Sequence, residues 1–171
     1  GTGKTTALNG ILGLLETQGE NVALAAPTGR AAMRMSEVCQ RDAKTIHRLL
    51  EVDYRMDDSD TITFKRNEKN LLRHDTVILD EVSMVDIPLM CSLLRALPLG
   101  CRLILVGDPD QLPSVGPGNI LADLIESDVI PMIHLSEIFR QARSSRIVTS
   151  SHEIVKGDYP DLSVRDSDFF F

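Results

Sequence analysis

The chain has 171 residues, 43% of them hydrophobic, with 25 acidic and 18 basic side chains and a net charge of −7. That size suits one domain with a full core, and the acidic balance argues against a protein that coats nucleic acid through a broad basic surface. A narrow groove touching a few phosphates remains compatible with it, although five Phe, two Tyr and no Trp limit base stacking. Cys39, Cys91 and Cys101 lie far apart without CxxC spacing. This argues against a zinc or disulfide framework, fits a reducing cytosol, and makes all three expected packing residues. The most apolar stretch, 87–107, is broken by Pro88, Arg95, Pro98 and Arg102, so no membrane span is expected. No charged-then-apolar leader opens the chain, which predicts a cytoplasmic location.

In chain order, Thr5 to Gln18 carries Leu8, Ile11, Leu12 and Leu15 at helical spacing, and Gly19 is a natural stop. Asn21–Ala26 predicts a strand and Arg30–Val38 a helix. Thr45 is placed to cap a short helix holding Ile46, Leu49 and Leu50. The least regular part is Val52–Asn70, where an Asp-Asp-Ser-Asp turn at 57–60 and an alternating Thr61-Ile62-Thr63-Phe64 run predict a small hairpin excursion near 52–66. Val77–Leu79 predicts a buried strand. Asp86 caps a helix with Leu89, Met90, Leu93, Leu94 and Leu97 on one face. A strand over Cys101–Val106, a helix over Asn119–Glu126 and a strand over Met132–Leu135 follow. Ser145–Lys156 predicts a last helix ended by Gly157, and Asp168–Phe171 a final strand. Strands separated by helices imply an α/β fold, a parallel sheet covered by helices on both faces, with ligands beyond the carboxyl ends of its strands.

Chemistry-bearing residues follow the strands as that fold requires. Gly1-Thr2-Gly3-Lys4-Thr5-Thr6 ends like a phosphate-binding loop, whose first glycine would lie two positions before Gly1. In such a loop backbone N–H groups cradle phosphate oxygens, Lys4 reaches the β- and γ-phosphates, and Thr5 binds Mg²⁺. Val77-Ile78-Leu79-Asp80-Glu81 is an apolar strand ending in two carboxylates, one suited to a Mg²⁺ shell and the next to orienting and deprotonating water. Gly107-Asp108-Pro109-Asp110-Gln111 follows the next strand; it is either a plain turn or one that offers Gln111 to the γ-phosphate or attacking water. Arg140 is either solvated or a charge stabiliser for the transferring phosphoryl.

Six blocks in this order resemble the first motor domain of superfamily-one DNA helicases, in particular the RecD-like, five-prime-to-three-prime branch. They are Gly1 to Thr6, Ala26-Pro-Thr-Gly-Arg-Ala-Ala32, Thr45-Ile-His-Arg-Leu-Leu50, Leu79-Asp-Glu-Val-Ser-Met-Val-Asp86, Val106 to Gly116, and Leu135-Ser-Glu-Ile-Phe-Arg-Gln-Ala142. The resemblance implies a RecA-like P-loop fold lacking the strand before the phosphate loop. It implies ATP and Mg²⁺ as cofactors, bound by Gly1, Thr2, Gly3, Lys4, Thr5 and Thr6. Asp80 would support the metal with Thr5, Glu81 would activate water, and Gln111 and Arg140 would contact the γ-phosphate. Pro27, Thr28, Gly29 and Arg30 would form one single-strand contact, and Thr45 and His47 a second. Thr28 and Gly29 suit phosphate contact without base readout. His47 could stack on a base or instead pack beside Leu50.

On this reading residues 1–160 form an N-terminally truncated ATP-binding motor domain, and 161–171 begin the connection to a second, absent motor domain. Expected partners are single-stranded DNA, a duplex fork and a nuclease or recombination complex, with no membrane. By itself the 171-residue chain is expected to hydrolyse ATP weakly or not at all. The alternatives are the helicase part of a conjugative relaxase and a non-catalytic nucleotide- or DNA-binding scaffold.

Overall fold

The computed structural model describes residues 3–53, 62–135, 145–161 and 168. Their elements are α1 (Lys4–Thr17), β1 (Val22–Ala26), α2 (Gly29–Cys39), β2 (Ala43–Thr45), α3 (Ile46–Leu50), β3 (Val52–Asp53), β4 (Thr63–Phe64), β5 (Thr76–Leu79), a 3-10 turn (Val82–Met84), α4 (Ile87–Ala96), β6 (Arg102–Leu105), α5 (Ile120–Ser127) and α6 (Arg146–Val155). The chain divides into two compact units, Leu8–Pro131 and the combination of Gly1–Ala7 with Met132–Phe171. Among the described residues no helix is long and apolar enough to cross a membrane.

The larger unit is built on a four-stranded sheet of order β2-β1-β5-β6, with every neighbouring pair parallel. Parallel strands need crossovers, and the apolar runs of β1 and β5 are buried because helices cover both faces, as expected. Strand side chains alternate between faces. Ala23, Ala25, Val77 and Leu79 meet Ile46, Leu49 and Leu50 of α3 and Met90 and Leu93 of α4. Leu24 and Ile78 point the other way, onto Leu8, Leu12 and Leu15 of α1 and Met35 and Cys39 of α2. Ile78 is fully buried, and truncating it to Ala would cost ~2–5 kcal/mol from lost burial and the cavity left behind.

Local signals explain where the elements stop. α1 ends ahead of Gly19, which takes φ +76°, a backbone conformation that favours glycine. Asp86 Oδ1 accepts from Leu89 N at 2.9 Å, so it caps α4 as its sequence position predicts. A second polar network closes the opposite end of the sheet. The Thr76 hydroxyl donates to the Glu20 carboxylate, which also receives Arg102 Nη1 at 2.7 Å. These two partners, Thr76 first, hold Glu20 below the usual carboxylate range.

The smaller unit contains α6, whose Ser145 Oγ accepts from Val148 N at 3.3 Å. Asp168 reinforces that helix start, accepting Ser145 Oγ at 2.5 Å and Arg146 N at 2.7 Å. Gly157, at φ +85°, follows the helix as predicted. Asp168 lies in a bend, and the rest of the strand expected over Asp168–Phe171 falls outside the described residues.

Several expectations are corrected. Met132–Leu135 is not a strand, and Ile133 is 87% exposed; a strand needs a hydrogen-bonding neighbour, and no described strand offers one. β2 is not legible in the sequence because three residues, none of them buried, carry no readable apolar pattern. Leu94 is 50% exposed, since the buried stripe of α4 runs through Met90, Leu93 and Ala96. Only Cys39 of the three cysteines is buried; Cys91 is exposed on α4 and Cys101 half-buried, so Cys91 is not a packing residue.

Candidate functional site

Gly3 precedes α1 with φ +87°, a conformation that favours glycine, and Ala7 N donates to Gly3 O at 3.0 Å to start the helix. Lys4 is the first residue of α1, with Thr5 and Thr6 exposed in its first turn and no acidic residue there. The leading N–H groups of a helix lack intrahelical acceptors and carry the positive end of its dipole, which is the chemistry of an anion cradle. Gly1 and Thr2 lie outside the described residues, as does Arg140.

The acidic pair sits where β5 leaves the sheet. Asp80 N donates to Ala25 O at 3.0 Å, extending the pairing with β1 by one residue. Glu81 N then turns onto Asp80 Oδ1 at 2.9 Å, and Glu81 adopts φ 54°, ψ 44°. Left-handed backbone at a non-glycine residue is unfavourable by ~1 kcal/mol or more. The surroundings enforce it: Val82 N donates to Val106 O at 3.1 Å and Val106 N to Leu79 O at 2.8 Å, which stitches the turn to the end of β6. At Gly107 an added Cβ would fall 2.7 Å from Leu121 Cδ2 and 3.4 Å from Val82 N, so the glycine permits this close approach.

Two polar atoms in that turn are buried with no hydrogen-bond partner among the described residues, Glu81 Oε2 and Ser83 Oγ. A buried acceptor or donor left unpaired costs ~1–3 kcal/mol. A turn that is both strained and unsatisfied is a recurrent property of sites completed by a ligand or water. Ser83 was missed in the sequence, where it reads as a spacer. Its only signal was a small hydroxyl inside an otherwise apolar turn.

The segment after β6 is held against α4. Ile87 N donates to Pro117 O at 3.0 Å, and Ser114 Oγ donates to Gly116 O and Gly118 O at 3.0 and 3.1 Å. A Cβ on Gly116 would collide with the Asp86 carboxylate. Gln111 is exposed, and its Nε2 stands 3.5 Å from Asp108 Oδ2 within its own turn.

The predicted strand-contact residues lie at the same edge of the sheet on its other half. Ala26 and Thr45 are register partners on adjacent parallel strands, so Pro27 to Arg30 and the Thr45–His47 block begin side by side. Thr28 Oγ1 accepts from Ala31 N at 3.2 Å and caps α2; Thr45 Oγ1 accepts from Arg48 N at 3.1 Å and caps α3. Gly29 and Arg30 are exposed. The His47 ring lies 5.8 Å from that of Phe64, tilted by 56°, so its neighbour is the hairpin excursion as well as its own helix.

A parallel sheet with an anion-receptive helix start and an acidic strand end defines a RecA-like P-loop nucleotide-binding domain. The AAA-domain family matches residues 1–117, and the chain belongs to that family. It is 41% identical over 160 residues to the ATP-dependent RecD2 DNA helicase of Deinococcus radiodurans, a match covering 94% of this chain and 21% of the relative. It is 42% identical over 149 residues to the RecBCD enzyme subunit RecD of Mycolicibacterium smegmatis, covering 74% of this chain and 26% of that protein. A solved structure of the Pif1 helicase from Bacteroides superposes with a TM-score of 0.54 at 29% identity, covering 82% of this chain and 37% of that one. The chain therefore spans about a fifth to a quarter of the length of the curated relatives described here.

Proposed function

We propose that this chain is the ATP-binding motor domain of a cytoplasmic DNA helicase. In the complete protein it would couple ATP hydrolysis to five-prime-to-three-prime movement on single-stranded DNA and to unwinding at a duplex fork. Residues 1–160 would form the motor domain and 161–171 would lead toward a second one. The observation that carries this reading is the strained Glu81 at the end of β5, its Oε2 buried and without a partner among the described residues. It accompanies strand-contact candidates at the ends of the neighbouring strands β1 and β2.

In this reading Gly1 to Thr6 cradle the phosphates and Lys4 meets the β- and γ-oxygens. Glu81 takes the proton of a water whose oxygen attacks the γ-phosphorus as the bond to the β-bridging oxygen breaks, leaving ADP and phosphate. Gln111 and Arg140 steady the γ-phosphoryl oxygens. Thr5 and Asp80 carry hard oxygen donors of the kind magnesium takes and would be the residues to hold it. Magnesium is commonly held by one or two carboxylates together with substrate phosphates and water. When bound, it supplies neutralisation of phosphate charge. Membership of a nuclease complex is the reading that the name of the Mycolicibacterium relative favours.

The test is ATP hydrolysis by the complete protein with and without single-stranded DNA, repeated with Lys4→Ala. The motor reading expects stimulation by the strand, lost in Lys4→Ala by ~100-fold or more while strand binding persists. A scaffold predicts no strand-stimulated hydrolysis, and that result would refute the motor.

A further inference from the structure

The hairpin root and the second strand-contact block are physically joined. Lys65 N donates to Glu51 O at 2.9 Å and Arg66 N to Leu50 O at 3.0 Å, which docks the end of β4 on the last residues of α3. The Arg66 guanidinium reaches Glu51 Oε1 at 2.7 Å from Nη2 and 2.8 Å from Nε. Glu51 ends α3 with φ 56°, a left-handed turn that brings the chain directly into β3. Phe64 is fixed further by its register with Val52 and by Asn67 Nδ2, which donates to Phe64 O at 3.0 Å. Phe64 packs on the core that contains Leu49 and Leu50, and its ring meets His47. A half-buried imidazole on a five-residue helix would otherwise be free to change rotamer.

We propose that Phe64 is a positioning residue for single-strand contact: from the return strand of the hairpin it holds the His47 ring in the orientation that meets a nucleotide. Thr45 sets the start of α3, Arg66 and Glu51 lock its end to the hairpin, and Phe64 fixes the ring between them. Movement of the hairpin root would thereby be felt at the DNA track. This inference rests on the strand-contact reading of Thr45 and His47. A ring–ring contact of this geometry is worth ~2- to 10-fold in an equilibrium constant.

The experiment measures the single-stranded DNA concentration giving half-maximal ATPase stimulation in the complete protein. His47→Ala, Phe64→Leu, Phe64→Tyr and the His47→Ala/Phe64→Leu double variant are compared with the parent, alongside each melting temperature. Leucine keeps the apolar contact with the core but not the ring; tyrosine keeps both. We expect Phe64→Leu and His47→Ala to raise that concentration by similar factors of ~2- to 10-fold, with Phe64→Tyr near the parent. The double variant should be no worse than either single. If His47→Ala weakens strand response and Phe64→Leu does not, the positioning role is wrong while the strand contact stands. If His47→Ala leaves the response untouched, the strand contact itself is wrong. Additive effects that track melting temperature would reduce Phe64 to a packing residue and overturn the proposal.

Discussion

The two halves of the sheet's carboxyl edge are finished to different degrees. At the ends of β1 and β2, Thr28 and Thr45 each accept a backbone N–H and His47 has a ring partner. At the ends of β5 and β6, Glu81 is left-handed, and Glu81 Oε2 and Ser83 Oγ are buried without partners among the described residues. On the proposed motor reading, the first half is a pre-formed surface for a ligand that slides past and is never read in detail. The second carries unsatisfied polar atoms that a phosphate, a cation or an attacking water could engage. A motor needs both, a steady grip and a centre whose energy changes with the nucleotide.

Stability measurements sharpen that contrast by sign. Thr45→Ala removes the cap of α3 and should destabilise by ~1 kcal/mol. Glu81→Ala removes the unpaired acceptor, and Glu81→Gly also relieves the left-handed backbone, so both should stabilise, the glycine variant by ~1 kcal/mol or more. At ~2–4 °C per kcal/mol for a domain of this size, thermal melting resolves the expected order, with Glu81→Gly melting highest, then Glu81→Ala, then the parent, and Thr45→Ala lowest. A destabilised Glu81→Gly would show that the acidic turn is not strained, and the contrast would fail.

The smallest effect concerns the far end of the sheet, away from both halves. The lowered Glu20 contributes stability that is present above the ordinary glutamate value near 4.5 and is lost as pH falls through its folded value. Glu20→Gln should therefore lower the melting temperature modestly at neutral pH and flatten its decline as pH falls below the ordinary glutamate value near 4.5. An unchanged acid slope would remove Glu20 from the account.

Much of this was legible in the sequence because it is local. The helical spacing of Leu8, Leu12 and Leu15, the capping positions of Thr45 and Asp86, and the apolar run ending in Asp80-Glu81 state their own roles. The resemblance in order of six blocks supplied the family. What could not be read depends on neighbours distant in the chain. β2 is a strand only because β1 offers it a ladder, and Met132–Leu135, the more apolar of the two, has none among the described residues. Leu94 and Cys91 are exposed because three nearby residues suffice to fill that face of α4. The left-handed Glu81 and the orphaned Ser83 follow from the stitching of Val82 to Val106, which sequence spacing does not announce.

The most direct test of the division between the halves is a paired measurement on Glu81→Gln in the complete protein: strand-stimulated ATP hydrolysis and affinity for single-stranded DNA at one fixed salt concentration. Removing a general base should lower hydrolysis by ~100-fold or more, while strand affinity stays within about twofold of the parent. Hydrolysis that survives Glu81→Gln, or strand affinity that collapses with it, would contradict the assignment of chemistry to one half and grip to the other.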